Sequence, residues 1–298
     1  MTRVCLPPSN HYKRVDIGIP AGACDSHVHI FGPFAQFPLA DDRSYTPQEF
    51  SANQFIEHLN KIGFSRGVLV TASVCGTNNG SILRGLEQYP DRLRGIVVPD
   101  AQVSDKELDR WHDLGVRGAR FNLLQIDGKP MYRNGVGLEV LQKLAPKFAE
   151  RGWHAQIWAH APDLPELAPK LLPLGLPLVV DHMGRMNTSH GVNHPGFQFL
   201  CRLLGEGKGW VKISGADRIG TKELGYEDVD PFAKALIAAN LDRVVWGTDW
   251  PHINYFDSDQ LPNDGDLVNL LSRWFDSPAK LEKVLVTNPA HLYDFPKL

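Results

Sequence analysis

Two histidines one residue apart, His27 and His29 in CDSHVHIF, are the first residues placed to do chemistry. Side chains alternate across a strand, so both imidazoles point the same way. Such a pair can hold a divalent metal or donate hydrogen bonds to a developing oxyanion. Asp249, in VVWGTDWPH, follows a strongly apolar run. A carboxylate there is costly unless it has partners; the plainer alternative is a cap on the following helix. His182, in VVDHMG, is placed on the same side as the histidine pair, with Asp181 facing the opposite side. His160, in WHAQIWAH, shares a face with Trp158 and is a candidate third metal ligand. Arg120 (with Asn122 on the same face of RGARFN) and Arg218, in SGADRIG, supply guanidinium groups, which bind carboxylates bidentately. Pairing with surface acids is their ordinary alternative. Ser73, Thr77 and Asn78, in SVCGTNNG, add small polar groups. His252 either lines a pocket or supports its loop. Cys75 is a candidate nucleophile, but no activating pattern surrounds it.

These residues need a scaffold that gathers them, and the chain supplies a rhythm. Short runs rich in Val and Ile fall at 23–31, 66–73, 93–100, 116–123, 153–160, 177–184, 209–216 and 242–250. Amphipathic stretches such as TPQEFSANQFIEHLNKIG and GVGLEVLQKLAPKFAERG separate them, and Gly63, Gly115 and Gly152 follow as helix stops. Eight alternating β/α units imply parallel pairing and a closed (β/α)8 TIM barrel, an α/β fold. An open doubly wound sheet would offer a Gly-rich phosphate loop after the first strand, and DSHVHIFGP is not one. In a barrel the chemistry gathers at the C-terminal ends of the strands, where the polar residues above all fall. The expected organisation is an irregular arm over 1–20 and a single catalytic barrel over 21–298.

Bulk properties exclude other classes. The chain has 298 residues, 43% hydrophobic and 22% charged, with a formal net charge of -3, so nothing draws it to nucleic acid or anionic membranes. No apolar run is long enough to span a bilayer, and the first twenty residues lack the apolar core of a signal peptide. Four scattered cysteines read as reduced thiols, and the expected location is the cytoplasm.

CDSHVHIFGP, RGARFNLL, VVDHMGR, VVWGTDWPH and TNPAHLYDF together resemble the amidohydrolase superfamily, in its branch of 2-pyrone-4,6-dicarboxylate lactonases and sulfomuconolactone hydrolases. The similarity runs from about residue 20 to 295. The resemblance implies hydrolysis of a lactone ring in aromatic-compound catabolism. Asp249 would be the general base, and His27, His29 and His182 would polarise the carbonyl. Arg120, Arg218, Ser73, Thr77, Tyr45, Trp158 and Asn254 would line the site of an anionic (di)carboxylate substrate. The chain departs from that pattern in three places. A further Arg after RGxRFN is replaced by Gln125, with Lys129 and Arg133 displaced. Trp158 stands for a Tyr, and His160 for an acid. The resemblance leaves two readings of the cofactor open: catalysis without metal, or one zinc ion held by His27, His29 and His160 with Asp249 close by. A metal-dependent decarboxylase of an aromatic acid is the alternative activity, and an acid-binding sensor the non-catalytic one. The expected partner is a small anionic lactone, and a homo-oligomer is compatible with the sequence.

Overall fold

The computed structural model describes residues 2–126, 129–132 and 134–296. Eight strands form one parallel sheet: β1 (Cys24–Val28), β2 (Arg66–Val70), β3 (Leu93–Val97), β4 (Val116–Asn122), β5 (His154–Trp158), β6 (Leu178–Val180), β7 (Gly209–Lys212) and β8 (Val244–Val245). Each pairs with the next in sequence order. The circle is closed by backbone bonds around β1: Ser26 N–H donates to Trp246 O, Asp249 N–H to His27 O, and His29 N–H to Trp250 O. This is the (β/α)8 barrel that the alternating pattern implies. Between β4 and β5 the chain adds a short antiparallel ribbon, Gln125–Ile126 with Lys129–Pro130.

Local chemistry explains the surrounding helices. In Ala52–Ile62, Ser51 and Gln54 cap the first turn reciprocally, and Gly63 ends the helix at φ 81°. Phe55, Ile56, Leu59 and Ile62 recur on one face and are buried there. Among the described residues no helix is long and apolar enough to cross a membrane. Residues 2–20 form an irregular arm apart from one bridge, Val4 with Thr46. The arm reaches the mouth of the barrel, where Cys5 N–H donates to Thr46 O and Leu6 N–H to Tyr255 O.

All eight strands lie inside their expected runs, but they stop early. The largest differences are at β6 and β8, whose apolar runs continue past the pairing into turns with positive φ, at His182 (51°), Met183 (53°) and Asp249 (66°). Such values are uncommon outside glycine, and here they aim two site residues. They also correct the placement of Asp181. Val179 faces the barrel interior and Asp181, two residues on, follows it inward. His182 reaches the same interior because its left-handed backbone breaks the alternation.

Candidate active site

The floor of the mouth is built from β1 and the turns after β6 and β8. The rings of His27 and His29 lie 5.1 Å apart and those of His27 and His182 4.5 Å apart. Asp249 Oδ1 is 3.4 Å from His29 Nε2 and 3.7 Å from His27 Nε2. Its Oδ2 accepts from Arg218 Nη2 at 2.9 Å and Nε at 3.1 Å. Burial alone would raise the Asp249 carboxyl, but Arg218 and the histidines outweigh it and hold the group well below the usual carboxylate range. Burial pushes His182 down to about 4, only partly offset by Asp249. Burial and the nearby Lys212 also lower His27. Asp249 is therefore ionised, and His27 and His182 are neutral at neutral pH.

Above this floor is a cavity of about 220 Å³. His29, His182, Asp249, Arg120, Arg218, Tyr45, Trp158 and Asn254 line it, so eight of the expected site residues share one space. His27 lies beneath, fully buried. Ser73 is buried in the turn after β2 and Thr77 is exposed; neither lines the cavity. Cys75 does not line it either, and burial pushes its thiol up to about 12, which makes it a poor nucleophile. His252 bonds to Asp264 through Nε2 at 2.8 Å and so supports the turn after β8. Asn122 lies on the Arg120 face of β4 but does not line the cavity. Arg133 lies outside the described residues.

The cavity also contains residues to which the sequence pattern gave no role. Tyr132 stacks on Trp158 at 4.7 Å and 10°, making an aromatic wall. Arg185 reaches the cavity from the VVDHMGR turn; burial, then the repulsion of Arg218, lowers its pKa. Among the described residues it pairs with no carboxylate. Tyr255 donates to Asp217 Oδ2 at 2.7 Å and lies beneath the Arg218 guanidinium. Beneath the floor, Asp181 Oδ2 accepts from Arg120 Nε at 3.2 Å and from Gln156 Nε2 at 3.0 Å. Lys212, wholly buried on β7, donates to Gln156 Oε1 at 2.7 Å and to Ser26 O at 2.8 Å, and lies 3.2 Å from His27 Nδ1. A lysine two residues after an inward Trp210 was the available signal in GWVKIS.

Among the described residues two groups have the spacing of metal ligands, His27–Asp181–His182 and His27–His29–Asp249. His160 is in neither; it is half-buried at the start of the turn after β5 and does not line the cavity. Both groups depend on His27, and its chemistry does not fit. A metal-bound imidazole normally donates its other N–H to an acceptor; for His27 that acceptor would be Asp181 Oδ1 at 3.3 Å, and the nearer Lys212 ammonium, 3.2 Å from Nδ1, opposes a proton there. Asp249 is also already paired with Arg218.

Residues 24–295 match the family model for amidohydrolases. A 4-sulfomuconolactone hydrolase of Rhizobium radiobacter is 36% identical over 97% of this chain and 95% of its own. A 2-pyrone-4,6-dicarboxylate hydrolase of Comamonas testosteroni is 37% identical, covering 92% of this chain and 91% of its own. A solved Pseudomonas putida structure, named as a 2-pyrone-4,6-dicarboxylic acid hydrolase, superposes with a TM-score of 0.80 at 32% identity, over 94% of this chain and all of that one. With its barrel, its histidine pair and its late aspartate on one floor, the chain belongs to the amidohydrolase family.

Proposed function

We propose that the protein opens the lactone ring of a small, multiply anionic substrate by adding water, as in the hydrolysis of a pyrone dicarboxylate or a muconolactone. The observation that carries this reading is the position of Asp249 Oδ1. It faces two imidazoles at 3.4 and 3.7 Å on the floor of a cavity that also holds unpaired arginine N–H groups. A water beside Oδ1 gives up a proton as its oxygen attacks the lactone carbonyl. His29 Nδ1 donates to Val70 O at 2.6 Å, which orients the ring so that Nε2 faces Asp249 Oδ1 at 3.4 Å. The imidazole of His182 stabilises the oxyanion from the cavity wall, and His27 supports Asp249 from beneath. The acyl C–O bond of the ring then breaks, and the leaving oxygen takes the proton back from Asp249. Net, one water is added and nothing is oxidised or reduced.

Arg120 and Arg185 hold the substrate's acidic groups, and Trp158 with Tyr132 walls its flat ring. Tyr45 and Asn254 bound the same space and complete the pocket. The base is fully ionised and a lactone is an activated ester, so the floor works without a zinc ion. Turnover of a panel of lactone mono- and dicarboxylates and sulfonates, measured with and without chelator, tests both claims. Hydrolysis of anionic lactones unaffected by chelator is expected. Loss of activity in chelator with recovery on added zinc rejects the metal-free floor. Decarboxylation of aromatic acids with no lactone turnover rejects the hydrolase.

A further inference from the structure

Lys212 is an unusual residue to find wholly inside a barrel. An ammonium has three N–H donors and no acceptor, and burying it is costly unless each finds a partner. Ser26 O at 2.8 Å and Gln156 Oε1 at 2.7 Å accept two of them. Gln156 is oriented for this, because its amide nitrogen donates to Asp181 Oδ2. For the third, His27 Nδ1 at 3.2 Å is nearer than Asp181 Oδ1 at 3.7 Å. Asp181 Oδ1 makes no aligned hydrogen bond, although His27 Nδ1 is 3.3 Å away. A nitrogen that accepts from an ammonium carries no proton of its own, so in neutral His27 the proton must be on Nε2. That atom is buried without a hydrogen-bond partner among the described residues and faces the Asp249 side of the floor.

We infer that Lys212 is a positioning residue that fixes His27 as its Nε2–H tautomer, turning one donor towards Asp249 Oδ1 from beneath the floor. The tautomer rests on the nearer contact with Lys212, against the alternative of an Nδ1–H donated to Asp181 Oδ1 at 3.3 Å; its use in catalysis rests on the lactone hydrolysis proposed above. The same contact accounts for the poor fit of a metal to His27, since the nitrogen a metal would need is the one that keeps its proton.

Histidine-15N correlation spectra of the unliganded protein, with His27 assigned by its absence in His27→Asn, read the tautomer without any substrate. Protonated Nε2 and bare Nδ1 are expected, and a proton found on Nδ1 overturns the inference whether or not a lactone is ever turned over. In Lys212→Met the His27 proton is expected to move to Nδ1, towards Asp181. The kcat should fall about 10²-fold, as for loss of one preorganised donor, here the one that faces the Asp249 carboxylate, with little change in KM. Adding Lys212→Met to His27→Asn should cost nothing further, because both act through one ring. Additive losses, or an equal rise in KM, would show that Lys212 merely supports the fold. Should Lys212→Met fail to fold, the wild-type spectrum still decides.

Discussion

Three arginines at one end of the barrel and three at the other use their guanidinium groups differently. At the N-terminal end, Arg94 donates to the carbonyls of Pro90, Leu93 and Asp294, Arg66 to that of Pro296, and Arg117 to His112 O, Val116 O and the Asp294 carboxylate. These bonds tie the C-terminal segment across the base, where Tyr293 and Phe295 pack against Cys24, Val68, Val70 and Ile96. At the C-terminal end, Arg218 is committed to Asp249 and Ile253 O. Arg120 bonds Asp181 through Nε alone, and Arg185 pairs with no carboxylate among the described residues. Guanidinium groups with free N–H lining a cavity mark where an anionic ligand can replace water; at the base Arg94 and Arg117 instead spend theirs on the protein itself.

The largest effect should come from the floor of the mouth. Asp249→Asn keeps the shape of the side chain but cannot take a proton. A loss of about 10²–10⁴-fold in kcat is expected, with a lower melting temperature because Arg218 loses its charged partner. Near-wild-type turnover would make Asp249 a structural partner of Arg218. The next effect separates the arginines within the mouth. Arg185→Met should raise KM for an anionic lactone by about 2–5 kcal/mol of lost binding and leave a neutral lactone analogue unaffected. Arg120→Met should do the same and also lower stability, because it leaves part of Asp181 unpaired. Equal losses on charged and neutral lactones would remove both arginines from recognition.

Much of this was legible in the sequence because it depends on periodicity. Eight Val- and Ile-rich runs separated by amphipathic stretches leave few architectures, and residues at run ends fall at the mouth. The misplacement of Asp181 shows where that logic stops. Alternation holds only while the backbone stays extended, and the left-handed turn at His182 is not encoded by any glycine at that position. Arg185 was visible in VVDHMGR, but nothing local says that it turns into the cavity. Lys212 reads as an ordinary strand residue until three acceptors from β1 and β5 are brought around it. His160 shows the reverse failure: the parity along β5 was followed correctly, yet the strand ends at Trp158 and the next residues turn away.

A smaller effect tests the base of the barrel. Arg94→Met removes donors from three carbonyls in a site where the side chain is 8% exposed. Leaving buried acceptors unpaired costs roughly 1–3 kcal/mol, so the melting temperature should fall while kcat and KM of the folded enzyme stay unchanged. A change in KM would mean that the two ends are coupled and that the division drawn between them is wrong.

The last test concerns acid, and near neutral pH its effect is the smallest. His154 opens β5 inside the base, against the ring of Tyr293 at 5.5 Å. Burial, then the nearby Lys212 charge, lowers its pKa to about 3, with Asp181 opposing. An unfolded histidine titrates near 6.5, so between about 6.5 and 3 the unfolded chain binds a proton that the folded protein refuses. Stability therefore falls as pH falls through that window, by at most about 1.4 kcal/mol per unit from this group. His154→Gln removes the titration and should flatten that part of the stability profile, measured by denaturant unfolding from pH 7 to pH 4. The slope that remains belongs to other histidines held neutral by burial, such as His58, which titrates near 4. An unchanged slope in His154→Gln would mean that the base admits a charged imidazole. Its polar groups would then be less fully committed than those arginine bonds imply, and the contrast with the mouth would weaken accordingly.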